Sequence, residues 1–220
     1  MTGRGGLARA IGYAAAVMLA GGCVTAQPYD YTNYRLHPPR SIVVLPPLNQ
    51  STAVEATYGY LTTVTRPLAE RGYYVFPIAV VDQFLKENGL PSAGEMHQVP
   101  VEKLAEILGA DAVLFITVEQ YGTKYLVIDS VTSVAARARL VDTRTGLVLW
   151  EGRRVLQQSS SSGQSNLVAM AISAAITQVL NTSTDAAHRL SPQLNLLLFN
   201  QKDQGLLYGP YHPRYDQPPE

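Results

Sequence analysis

The sequence is short of cysteine, of charge and of long apolar runs, and each shortage excludes something. Its single cysteine, Cys23, has no intrachain disulfide partner, so the fold is not a disulfide scaffold. Charged residues make up 15% against 46% hydrophobic; a disordered chain shows the opposite balance. Lys+Arg and Asp+Glu are equal at 17 each, whereas a nucleic-acid-binding chain gathers a basic excess. Two apolar stretches stand out, Ile11 to Ala20 and Asn166 to Asn181, and both fall short of the ~20 residues a spanning helix needs. Catalytic signatures are missing too. There is no Gly-x-Ser-x-Gly elbow and no Gly-x-x-x-x-Gly-Lys loop. His37, His97, His188 and His212 lie on separate segments, and no two have the spacing of a metal pair. The chain therefore reads as a non-enzyme without metal or cofactor.

What is present begins at the N-terminus. Arg4 and Arg9 precede the apolar run IGYAAAVMLA, and small residues lead to the cysteine in Leu19-Ala20-Gly21-Gly22-Cys23. This is the plan of a secretory signal. A lone cysteine at its end resembles the lipobox of bacterial lipoproteins, with Leu19 one place further from the cysteine than is usual. The resemblance implies cleavage between Gly22 and Cys23, a diacylglycerol on the Cys23 thiol and a palmitate-type acyl chain on the new amine. Losing Arg4 and Arg9 leaves 15 of the 17 basic side chains, against 17 acidic ones. By resemblance to enterobacterial lipoproteins, Val24 in place of Asp implies sorting to the outer membrane, on its periplasmic face or exposed at the surface.

The expected organisation is a signal peptide over 1–22, a lipidated N-terminus and extended tether over 23–40, an α/β domain over 41–190 and a Pro/Tyr-rich tail over 191–220. SIVVLPP (Ser41 to Pro47) reads as a buried strand. Val54, Tyr58, Leu61, Thr65 and Leu68 share one helical face, broken or kinked at Pro67. Tyr73 to Val81 reads as a second strand with Pro77 inside it, and Asp82 as the cap of a short helix. Pro100 opens a helix with an apolar face of Val101, Leu104, Ile107 and Leu108, closed by Gly109. Ala110 to Glu119 is the expected central strand, Tyr121 to Lys124 a turn, and Tyr125 to Val141 a strand with Arg137 and Arg139 on one face. Asp142 to Gly146 is a hairpin turn, and Leu147 to Leu156, including Trp150, returns as its partner. The uncharged segment Asn166 to Asn181 reads as a last helix packed across the sheet, or as a contact between protomers. The fold class is α/β: a mixed β-sheet with a long β-hairpin and helices packed against it.

Several segments resemble one family. RSIVVLPP (Arg40 to Pro47), RPLAERGYYVFPIAV (Arg66 to Val80), NGLPSAGEMHQVP (Asn88 to Pro100) and ARLVDTRTGLVLWEG (Ala138 to Gly152) are similar to the domain-of-unknown-function 799 family of bacterial lipoproteins. The turn with Asp142, Thr145 and Gly146 is similar to the hairpin of periplasmic domains such as the TolB N-terminal domain, CsgG and LpoB. The resemblance implies an envelope lipoprotein without an assigned enzymatic activity, working with other envelope proteins, among them a CsgG-like lipoprotein; homo-oligomerisation is the expectation that goes with the protomer contact at Asn166 to Asn181. Tyr208, Tyr211 and Trp150 are the candidate interaction residues. Two other classes compete: a cell-wall hydrolase using Glu119 or the serines of Ser159 to Ser165, and a carrier of a small ligand under the last helix.

Overall fold

The computed structural model describes residues 28–125, 130–159, 184–215 and 217. Cys23 with its leader, and the expected helix at Asn166 to Asn181, lie outside these residues. The elements run α1 (Thr32–Leu36), β1 (Ser41–Val44), β2 (Leu48–Asn49), α2 (Ala56–Leu61), α3 (Thr65–Glu70), β3 (Tyr74–Val75), α4 (Ile78–Glu87), α5 (Ala93–Met96), α6 (Val101–Leu108), β4 (Ala112–Tyr125), β5 (Ser130–Asp142), β6 (Val148–Ser159) and α7 (Thr184–Phe199).

The strands form one mixed sheet in the order β3-β1-β4-β5-β6, with β2 also on β4. β1 pairs in parallel with β3 and β4, while β4, β5 and β6 are antiparallel. The α/β class and the long hairpin are therefore as the sequence implies. Alternation dictates the hairpin: Ala136, Ala138 and Leu140 are buried while Arg137 and Arg139 face solvent. Its turn is built as expected, since the Asp142 carboxylate accepts from the Thr145 amide (2.9 Å) and hydroxyl (2.7 Å), and Gly146 has φ +70°.

Each face of the sheet carries its own core. On one, α2, α3 and α7 cover a cluster that includes Tyr60, Leu68, Ile116, Leu140, Trp150 and Leu194. On the other, α4, α5 and α6 contribute Val81, Leu85, Met96 and Leu104 against Val43, Leu45 and Val113.

Several local expectations are corrected. The strand at Tyr73 to Val81 ends at Val75, because Pro77 starts α4: its fixed φ (−58°) suits the residue flanking a helix start. Asp82 is consequently mid-helix, paired with Lys86 at 2.7 Å, and caps nothing. The single helix expected around Pro67 is two, α2 and α3. Pro67 sits in the first turn of α3, where its missing N–H costs no bond, and Val54 and Tyr58 are exposed. Leu104 alone of the expected α6 face is fully buried, and Ile107 is exposed. Tyr121 to Lys124 is strand, not turn: β4 continues through a bulge at Glu119 to Tyr125.

Both ends of the described chain are packed rather than loose. The tether contains α1, and Tyr34 within it is fully buried. Helix α7 runs across the expected boundary at 190/191 with Pro192 inside it. Leu190, Leu194, Leu198 and Phe199, all buried, hold the helix together despite the lost backbone bond. Leu206 and Leu207 are buried as well.

Candidate functional site

The sequence-derived site at Gly22 and Cys23 lies outside the described residues, but the chain that leaves it enters at Pro28 and is fastened at once. The Tyr29 amide donates to the Asp203 carbonyl at 2.8 Å, and the Tyr31 hydroxyl donates to the Gly205 carbonyl at 2.5 Å. Asp30 accepts from the amide (2.9 Å) and hydroxyl (2.6 Å) of Thr32, which initiates α1 and holds the Asp30 carboxyl below its ordinary pKa. The Asn33 amide group donates to the Val148 carbonyl at 3.1 Å, tying α1 to the start of β6. Burial, helped by the neighbouring Tyr29, pushes the Tyr31 phenol up to about 12. Pro28, Tyr29, Tyr31, Arg35, Leu36 and Asp203 line an open groove of about 520 Å³ at this end of the domain. The Tyr29 and Tyr31 rings stand 5.0 Å apart beside it, and Leu36 is 67% exposed.

The second feature is a C-terminal strap, Leu206 to Tyr215, laid over the α3–β3 turn. The Gly209 amide donates to Arg71 O (2.8 Å) and the Tyr211 amide to Gly72 O (3.1 Å). The Tyr34 and Tyr73 hydroxyls meet at 2.5 Å, and Tyr73 donates onward to Leu207 O at 2.6 Å. Beneath the strap lies Arg71, 3% exposed. Its Nη2 donates to Phe199 O and to Asn200 Oδ1, while Nε and Nη1 have no hydrogen-bond partner among the described residues. Its guanidinium carbon is 4.7 Å from the centroid of the Tyr208 ring. Burial lowers the Arg71 pKa, with the surrounding tyrosines opposing; a guanidinium nevertheless keeps its charge. Arg214 stacks on Tyr208 as well, 4.7 Å from the ring centroid, and bonds its hydroxyl, and the His212 ring stacks on it at 4.1 Å.

Of the candidate interaction residues, Tyr211 is exposed (68%) and available. Tyr208 is 7% exposed and occupied by these cations. Trp150 is wholly buried, with its indole N–H donating to Gln204 O at 2.9 Å, so it fixes the segment just before the strap and presents no surface. Leu36 and Arg71 carry geometry at these two places and went unnoticed. Leu36 could have been found as an unpaired apolar residue in a polar segment. Arg71 gives no sequence signal, because its partners are more than a hundred residues away.

Among the described residues, the hydrolase candidates are not assembled. Glu119 is the extra residue of the β4 bulge, not a strand end, and its carboxylate lies 2.7 Å from Arg153 and 3.8 Å from Arg137. It is an ion-pair partner on the sheet face. Of the serine loop, Ser159 ends β6 and Ser160 to Ser165 fall outside the described residues, as does the helix that would roof a ligand. His97 bonds Pro46 O at 2.9 Å and meets the Phe115 ring edge-on at 5.3 Å. Among the described residues, no group of three or more His, Cys, Asp or Glu could hold a metal, and no helix is long and apolar enough to cross a membrane.

Known proteins agree with this architecture. A family model described as "Putative lipoprotein GNA1162-like" matches residues 29–211, and the chain belongs to that family. A Neisseria meningitidis serogroup B relative, "Putative lipoprotein NMB1124/NMB1162", is 44% identical over 202 residues, covering 91% of this chain and 94% of the relative. The crystal structure of lipoprotein GNA1162 from Neisseria meningitidis is similar at 51% identity and TM-score 0.54, over 57% of this chain and 88% of that one. The LpoB C-terminal domain from Salmonella enterica shows a fainter likeness, with 19% identity, TM-score 0.41 and coverage of 65% and 92%. The family and both Neisseria meningitidis relatives are described as lipoproteins.

Proposed function

We propose that this GNA1162-like lipoprotein begins, when mature, at Cys23, carries its lipid on that thiol, and serves as a non-catalytic module that binds other envelope proteins. The observation carrying this reading is the position of the lone cysteine. It closes an apolar leader and stands just upstream of residue 29, where the match to a lipoprotein family starts. Each buried acyl CH₂ contributes about 0.8 kcal/mol, so two or three chains retain the protein at a bilayer without a spanning helix. The polar groups that could have served catalysis support the reading: Glu119, Asp142 and His97 are each taken up by an ion pair, a turn or a backbone carbonyl.

The finer assignment is to an envelope assembly or transport complex containing a CsgG-like lipoprotein. It rests on the segments that resemble the domain-of-unknown-function 799 family, all of which fall inside the matched range. Tyr211, exposed on the strap, is the residue we assign to that contact, and a second copy of the chain is an alternative occupant. The test is photo-crosslinking in the native envelope from Tyr211, alongside labelled-palmitate incorporation in the parent and in Cys23→Ser. Label in the parent only, and an adduct with an envelope protein, is the expected result. An unlabelled parent, or no adduct from Tyr211 in a labelled one, contradicts it.

A further inference from the structure

We propose that the α1 end of the domain rests on phospholipid headgroups, with Leu36 inserted among them, and that the far end of the β4–β6 extension points away from the bilayer. This deepens the lipid-anchor reading and depends on an acylated Cys23. Chain length sets the first constraint. Pro28 follows Cys23 by five residues, and an extended chain covers at most ~3.6 Å per residue, so Pro28 lies within about 18 Å of the acylated residue. No slack is added afterwards, because Tyr29 and Tyr31 are bonded to Asp203 and Gly205. A body held this closely stays beside the surface, with the α1 end nearest to it.

That end has the chemistry of an interface. Leu36, 67% exposed, sits with Pro28 and the Tyr29–Tyr31 ring pair. The half-buried rings of Tyr29 and Tyr31 add apolar edge beside it, and a long arginine such as Arg35 can lie along apolar material with its head in water. Asp30 and Asp203 oppose Arg35 in the same groove. This mixture of signs fits a zwitterionic headgroup, with one ammonium and one phosphate, better than a purely anionic one.

The sheet gives the direction. Asn33 of α1 bonds Val148 at the start of β6, and this is the end where Ala112 of β4 pairs with Asp142 of β5. Tyr125 pairs with Ser130 at the opposite end. A 14-residue strand at ~3.3 Å per residue puts that end roughly 45 Å away. Gln158, paired with Thr132, reports on it.

Acylated Cys23 has no free thiol, so an introduced cysteine can be labelled alone. The full lipoprotein carrying Leu36→Cys or Gln158→Cys is labelled with a small fluorophore and reconstituted in phosphatidylethanolamine–phosphatidylglycerol vesicles with a headgroup-linked quencher. Flotation is measured on the same sample. The expected result is flotation, strong quenching at 36, and no quenching at 158 beyond that in quencher-free vesicles. Flotation with no quenching at 36, as when that face is reserved for a protein partner, overturns the seating and leaves the anchor standing. Equal quenching at both positions overturns the orientation. Failure to float overturns the anchor and the seating together.

Discussion

Gly209→Ala is the sharpest probe of how the strap is held. A Cβ at residue 209 would stand 2.5 Å from the Gly72 carbonyl oxygen and 2.8 Å from the Tyr73 ring. Backbone is the obstacle, so the strap must retreat by about 1 Å to restore ordinary contact. Two backbone hydrogen bonds pass through this point, Gly209 to Arg71 and Tyr211 to Gly72, each worth ~1 kcal/mol net. Overpacking adds roughly 1–3 kcal/mol. Complete release would also expose Leu206 and Leu207, at about 1.5–3 kcal/mol each, which sets the ceiling. We expect a loss of ~3 kcal/mol, or roughly 6–12 °C in Tm at about 2–4 °C per kcal/mol for a domain of this size. Thermal unfolding of the solubilised lipoprotein, followed by circular dichroism, reads it. Gly94→Ala is the control, since a Cβ there approaches nothing nearer than Ser92 Oγ at 3.8 Å and the position is helical; it should be neutral or stabilising by ~0.5 kcal/mol. A Gly209→Ala melt indistinguishable from that of the control would refute the claim that the strap is clamped to the α3–β3 turn.

Gly152→Ala should cost about 1–3 kcal/mol in the same melt, because its Cβ would meet the Trp150 ring at 2.7 Å and Leu198 at 3.1 Å; no change would mean this core is looser than its contacts imply. Glu119→Gln breaks a partly exposed ion-pair set and should cost under ~1 kcal/mol, with crosslinking to envelope partners unchanged; abolition of function without unfolding would revive the hydrolase reading. Burial holds the His97 pKa below its ordinary 6.5, against the opposing bond to Pro46 O. The unfolded chain then takes up the proton more readily, so this residue's contribution is intact above about pH 6.5 and is lost as pH falls through the lowered folded value. Denaturant titrations of His97→Gln across that window should show a shallower acid loss than the parent, and parallel curves would contradict the assignment.

The hairpin was legible because its information is local. Alternation at Ala136 to Leu140 marks the faces, and Asp142, Thr145 and Gly146 satisfy the turn within five residues. The termini were not. Residues Tyr29 to Leu36 read as a tether until Asp203, Gly205 and Val148 are brought to them, and Tyr73 gains its meaning from Tyr34 and Leu207. Proline misled twice for one physical reason. Pro67 and Pro77 stand in or beside the first turn of a helix, where a missing N–H costs no bond. Arg71 had no signature because its partners, two carbonyl oxygens and a ring, reach the buried guanidinium by tertiary placement alone.

The lipid on Cys23 is the claim on which membrane placement, close seating and orientation depend. Intact-mass and N-terminal peptide mass spectrometry of the protein purified from its native envelope tests it most directly. The account predicts a mature chain starting at Cys23 whose first residue carries the added mass of a diacylglyceryl thioether. A chain starting elsewhere, or a Cys23 with an unmodified thiol, would contradict it.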